Sequence, residues 1–133
     1  MNFAWADYYA LAERLRHEDS EAALRSAISR AYYAVFCQAR DYLKEQGVML
    51  STLGPSSHKQ VWGEFKQRGR THRSIGDNGD KLHYNRIKAD YENEIERLDL
   101  LVNESFAVAG RALRYLKQVK NMSYTLQEKE FLS

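Results

Sequence analysis

A single cysteine and a single proline in 133 residues are what this chain most conspicuously lacks. With one proline and seven glycines, little interrupts the backbone, and long helices have room to form. The lone thiol, Cys37, excludes a disulfide framework within the chain and points to a reducing compartment. Its neighbours Val35 and Phe36 mark it as a packed, inert thiol rather than a nucleophile. No apolar run approaches the length of a membrane span, and the first residues have neither a basic start nor a signal-like apolar core, so a cytoplasmic protein with no membrane partner is expected. No stretch alternates as a half-buried strand does, and no internal repeat is present. Asp77 and Asp80 sit in a glycine-rich stretch without further ligands at metal spacing, so neither a metal nor a cofactor is expected.

What is present is a composition of 44% hydrophobic and 29% charged residues, the balance of a soluble globular chain large enough for one core and too small for two. The formal net charge of +2 hides two blocks, about +5 over residues 58–88 and about −5 over residues 90–104. Such asymmetry steers a polyanion to one face or joins two copies of the chain; it is also what two solvated helix faces of opposite sign look like.

Helical periodicity recurs throughout and predicts an all-α fold, an up-and-down bundle of about five helices. A first helix is expected over residues 3–17. Asp19 or Ser20 caps a second that runs to about Gln46, where Gly47 closes it. That second helix is apolar nearly all round from Ser26 to Phe36, which places it at the centre of the domain. Arg30 interrupts it, and an arginine there is expected to pair with a carboxylate of the chain. After a connection over residues 47–57, a short third helix carries Val61, Trp62 and Phe65 and ends near Gly69. Residues Arg70–Asp80, with Gly76, Asp77, Asn78 and Gly79, read as a polar loop flanked by basic residues. A fourth helix begins near Asp80 and carries Leu82, Tyr84, Arg86, Ile87 and Ala89; Asp90 or Asn93 caps a renewed helix reaching about Lys120. The domain is thus expected over residues 1–121, followed by a tail over 122–133.

Two segments carry a family likeness. The run from Ala23 to Leu43, with Arg30-Ala-Tyr-Tyr-Ala-Val-Phe36 at its middle, resembles the second helix of small bacterial HEPN-domain proteins, the higher-eukaryote and prokaryote nucleotide-binding superfamily. Arg86-Ile-Lys-Ala-Asp-Tyr91 resembles the segment that these proteins carry in their fourth helix, and His58 to Phe65 is similar to their short third helix. The resemblance implies a helical homodimer whose fourth helices line a shared cleft. It also implies metal-independent ribonuclease activity of the toxin–antitoxin or phage-defence type, with RNA or a nucleotide as ligand and a nucleotidyltransferase-like antitoxin as a partner. In that chemistry an arginine holds the scissile phosphate, and a histidine that follows it after four to six intervening residues moves a proton.

This chain departs from that motif. None of His17, His58, His72 and His83 follows an arginine at that spacing; Arg86 is followed instead by Asp90 and Tyr91. The candidate catalytic set is Arg86, Asp90, Tyr91 and His83, and the candidate RNA-binding set is Arg68, Arg70, Arg73 and Lys88. Arg86 and Asp90, four apart, also fit a plain helix ion pair. The alternative function is therefore a catalytically inactive helical interaction or dimerisation module that binds a protein partner.

Overall fold

Ser20 starts the helix around which the others pack. Its backbone is extended, and its Oγ accepts a hydrogen bond from the Ala23 amide at 3.0 Å, satisfying one of the orphan donors of the first turn. From there α2 (Glu21–Glu45) runs to Gly47, whose φ of +83° lets the chain turn out of the helix. The computed structural model describes residues 2–51 and 54–132, with side chains described as far as Ser123. Around α2 stand α1 (Ala6–Leu15), α3 (Ser56–Lys66), α4 (Arg70–Tyr91) and α5 (Leu98–Leu132), an all-helical bundle among the described residues. α2 touches all four of the others, as its all-round apolar sequence requires, and it buries Ala27, Ile28, Ala31, Tyr32, Val35 and Leu43 completely. Cys37 is buried within it, and burial pushes its thiol pKa up.

The stretch expected as a polar loop is helix. α4 begins at Arg70, not near Asp80, and only Gln67, Arg68 and Gly69 separate it from α3. Gly76 and Gly79 break no helix here because their missing side chains are where α3 presses in. A Cβ on Gly79 would lie 2.3 Å from Trp62 Cε3, and one on Gly76 would lie 2.8 Å from the Trp62 carbonyl oxygen. The indole of Trp62 is buried in that notch, so each glycine's cost in helix propensity is offset by packing of a large aromatic. An ion pair from Lys66 to Asp80 braces the same junction.

Other boundaries differ in smaller ways. α1 starts at Ala6 rather than residue 3. No helix is renewed at Asp90 or Asn93: α4 continues through Tyr91, residues 92–97 are not helical, and α5 starts at Leu98. The backbone of α5 then continues past Lys120 to Leu132, through the segment expected as a tail, whose side chains from residue 124 on lie outside the described residues. Arg30 pairs with no carboxylate among the described residues. It is only half-buried, and its guanidinium lies over the rings of Tyr8 at 4.8 Å and Tyr33 at 5.3 Å, so an aromatic face takes the place of the expected anion. No helix among the described residues is long and apolar enough to cross a membrane.

Candidate functional site

The buried arginine of this fold is Arg86, on the inward face of α4 and 8% exposed. Its Nη1 donates to Asp90 Oδ2 at 3.3 Å, and the same oxygen accepts from Ser29 Oγ at 3.2 Å across the α2–α4 contact. The guanidinium lies among three tyrosine rings, 5.3 Å from Tyr33, 5.7 Å from Tyr32 and 6.0 Å from Tyr91. Its Nε–H is fully buried and has no hydrogen-bond partner among the described residues. A buried donor left unpaired costs free energy that a neighbouring acceptor would recover. Arg25 holds the end of α4 in place, donating to the carbonyls of Ala89, Glu92 and Asn93. Those bonds satisfy terminal carbonyls and fix the segment that carries Asp90 and Tyr91.

Two histidines complete the cluster. His83, one turn before Arg86, stacks on Tyr32 at 5.1 Å and on His58 of α3 at 4.7 Å, the two imidazole planes only 4° apart. His58 also stacks on Phe36 at 4.3 Å, and its Nδ1 lies 2.6 Å from the hydroxyl of Tyr32. That hydroxyl accepts in turn from Trp62 Nε1 at 3.1 Å. Burial, and then the nearby His83 and Arg86, lower the His58 pKa to about 4; burial and Arg86 likewise lower that of His83, against an opposing pull from Asp80. Both imidazoles are therefore neutral at neutral pH. Burial raises the Tyr32 pKa well above its ordinary value, so its phenol keeps its proton.

The four residues predicted as catalytic thus converge: His83 and Arg86 on the inward side of α4, Asp90 at its exposed edge against Ser29 of α2, and Tyr91 as an exposed ring beside the guanidinium. The predicted RNA-binding residues do not join them. Arg68 sits in the short α3–α4 connection and pairs with Glu64 at 3.9 Å, while Arg70 and Arg73 are exposed in the first turn of α4. At 1.5 Å per residue, Arg73 is about 20 Å along the helix from Arg86. Lys88 lies 5.9 Å from the ring of Tyr84, which is exposed. Arg68, Arg70 and Arg73 were expected at one loop; Arg68 does lie in the short connection, but Arg70 and Arg73 open a continuous α4 that carries Lys88 near its other end.

Sequence reasoning missed Ser29, Tyr32, Tyr33 and His58 as members of the cluster, and Trp62, a candidate for stacking on a base, is instead buried at 1% exposure. Ser29, Tyr32 and Tyr33 carry a signal, since polar side chains at i, i+3 and i+4 in an apolar helix share one face. His58 carries none, because only the packing of α3 on α4 brings it to His83. A groove of about 730 Å³ beside α3 is lined by Met49, Ser56, Lys59, Gln60 and Gln67 among others, and contains none of the clustered side chains. Among the described residues no three or more His, Cys, Asp or Glu side chains are arranged to hold a metal ion. No family model, curated protein or solved structure matches the chain.

Proposed function

We propose that this chain is a HEPN-like RNA-binding protein that cleaves RNA without a metal, acting in the cytoplasm as a toxin or phage-defence ribonuclease. The observation that carries this reading is the buried Arg86 guanidinium, its Nε–H unpaired, beside two neutral imidazoles. A phosphodiester is the anion whose geometry a guanidinium fork matches, and burial strengthens the attraction. Arg86 holds the scissile phosphate. His83 takes the proton of the ribose 2′-hydroxyl as its oxygen bonds to phosphorus, and the bond from phosphorus to the 5′-oxygen breaks, that oxygen taking a proton from water. The products are a 2′,3′-cyclic phosphate and a 5′-hydroxyl. Asp90 instead holds Arg86 and Ser29 through its Oδ2. Tyr91, 74% exposed, offers a ring on which a base stacks. The outer face of α4 presents Tyr84, Ile87 and Tyr91 to solvent at helical spacing, a stripe suited to pairing two copies around the site.

Incubation of a single-stranded oligoribonucleotide with the protein in excess chelator tests the reading: cleavage to cyclic phosphate ends, slowed roughly 30-fold or more by Arg86→Ala, is the expected result. Cleavage that stops on chelation refutes it. The Arg86–Asp90–Ser29 network, together with the exposed α4 stripe, favours one second reading, an inactive dimerisation module that binds a protein such as a nucleotidyltransferase-like antitoxin. A protein that dimerises through Ile87, and loses dimerisation on Ile87→Glu, yet neither binds nor cleaves RNA, is that module.

A further inference from the structure

The Tyr32 side chain is completely buried, and the hydrogen-bond partners of its hydroxyl among the described residues are Trp62 Nε1 and His58 Nδ1. An indole N–H donates and never accepts. Trp62 therefore uses one lone pair of the phenol oxygen, and the single phenol hydrogen has only His58 Nδ1 to go to. Nδ1 must then be an acceptor, and a neutral imidazole with an acceptor at Nδ1 carries its proton on Nε2. A second proton on His58 would turn Nδ1 into a donor and strand the buried phenol hydrogen without an acceptor. It would also put a positive charge face to face with His83 and near Arg86. Around this imidazole stand Tyr32 and Tyr33 from α2 and His83 and Arg86 from α4; Asp80 acts on His83 and is already paired with Lys66 of α3. His83 is under no such constraint, because neither of its ring nitrogens has a hydrogen-bond partner among the described residues. There the only wholly buried side-chain polar atom lacking one is Arg86 Nε, so the His83 nitrogens and His58 Nε2 reach solvent.

Resting on the reading of this site as a phosphodiester site, we infer that Tyr32 is a positioning residue that locks His58 as a neutral imidazole protonated on Nε2. The stacked pair then divides its work: His58 presents a fixed N–H to a phosphate oxygen, and His83 is the imidazole that exchanges a proton. A tyrosine hydroxyl without such a donor could give or accept the hydrogen bond and would impose no tautomer.

Imidazole nitrogen resonances of the full chain, recorded in long-range nitrogen–proton spectra without RNA, test the lock independently of any activity. The expected result is a single His58 tautomer, unprotonated at Nδ1, that persists from neutral pH down to about pH 5, while His83 shows fast exchange between its two tautomers. Tyr32→Phe should release His58 into a mixture. A wild-type His58 protonated on Nδ1, or already a mixture, overturns the inference even if the RNA reading stands, and requires no variant to fold. On a single-stranded oligoribonucleotide, His58→Gln keeps an N–H donor at similar reach and should retain cleavage within about tenfold, whereas His58→Ala should lose about 100-fold, as removal of one donor to a developing oxyanion does. Equal losses in the two variants overturn the donor role. A missing cleavage activity in the wild type, with the tautomer locked, counts against the RNA reading alone.

Discussion

Two tyrosines of α2, ten residues apart, each meet a histidine across the bundle. Tyr32 meets His58 with Trp62 and His83 beside them; Tyr42 lies 3.1 Å from His72 Nε2 with Phe65 stacked on both rings. Both tyrosines are buried, and burial lowers both histidine pKa values. The surroundings differ. At the Tyr42 junction no tryptophan donates to the phenol, so either His72 tautomer satisfies it, and the neighbouring cation, Arg68, is half-buried and paired with Glu64. At the Tyr32 junction the hydroxyl is committed by Trp62, a second imidazole is stacked on the first, and the neighbouring cation is buried with an unpaired N–H. The same tyrosine–histidine contact is thus structural cement at one junction and part of a candidate site at the other. What separates them is whether a charge has been buried without its hydrogen bonds completed.

Arginine deletion separates the two junctions most sharply. Arg86→Ala should lower RNA cleavage by about 2–4 kcal/mol of transition-state stabilisation, roughly 30-fold to 1000-fold, while Arg68→Ala leaves the rate at saturating RNA within about twofold. Equal losses would mean that neither junction is special. Next in size is the helix packing that builds the Tyr32 junction. Gly79→Ala drives a methyl into Trp62 and should destabilise the fold by about 2 kcal/mol in denaturant titration, whereas Gly63→Ala, with open space at its Cβ, should be neutral or stabilising by up to about 1 kcal/mol.

Acid should separate the two histidines in a milder way. The folded chain holds His58 at about 4 against an ordinary value of 6.5, so the unfolded chain takes up that proton first. The stabilisation is whole above about pH 6.5 and is lost as pH falls from there to about 4. Melting temperature measured across that window should fall steeply, less so in His58→Gln, and His72→Gln should flatten it by a smaller amount. The smallest effect expected is that of the outlying basic residues. Replacing Arg68, Arg70 and Arg73 together with alanine should reduce the salt slope of RNA binding by about one unit for each phosphate that is no longer neutralised, without altering the rate on bound RNA. A rate loss as large as that of Arg86→Ala would place the chemistry at the wrong end of α4.

Much of the architecture was legible one residue at a time. Ser20 and Gly47 bound α2 because capping and a positive φ are local matters, decided by a hydroxyl within reach of its own backbone and by the absence of a Cβ. The central place of α2 was legible too, since a helix apolar on every side has no face for water. Arg86, Asp90, His83 and Tyr91 share one helix, so their grouping followed from spacing. The glycine-rich start of α4 misled because turn chemistry is a local preference, and a tryptophan from another helix outweighed it. Arg30 and Arg86 look alike as letters in apolar helices. Only the packing decided that the first would lie half-buried over aromatic faces and the second would be sealed beneath tyrosines with a donor unpaired. Helix propensity, capping and periodicity act within a few residues along the chain, so the sequence by itself determined five helices and which of them is central. The meeting of His58 with His83 and the commitment of the Tyr32 hydroxyl depend on side chains 25 to 30 positions apart, and only the tertiary structure decided them.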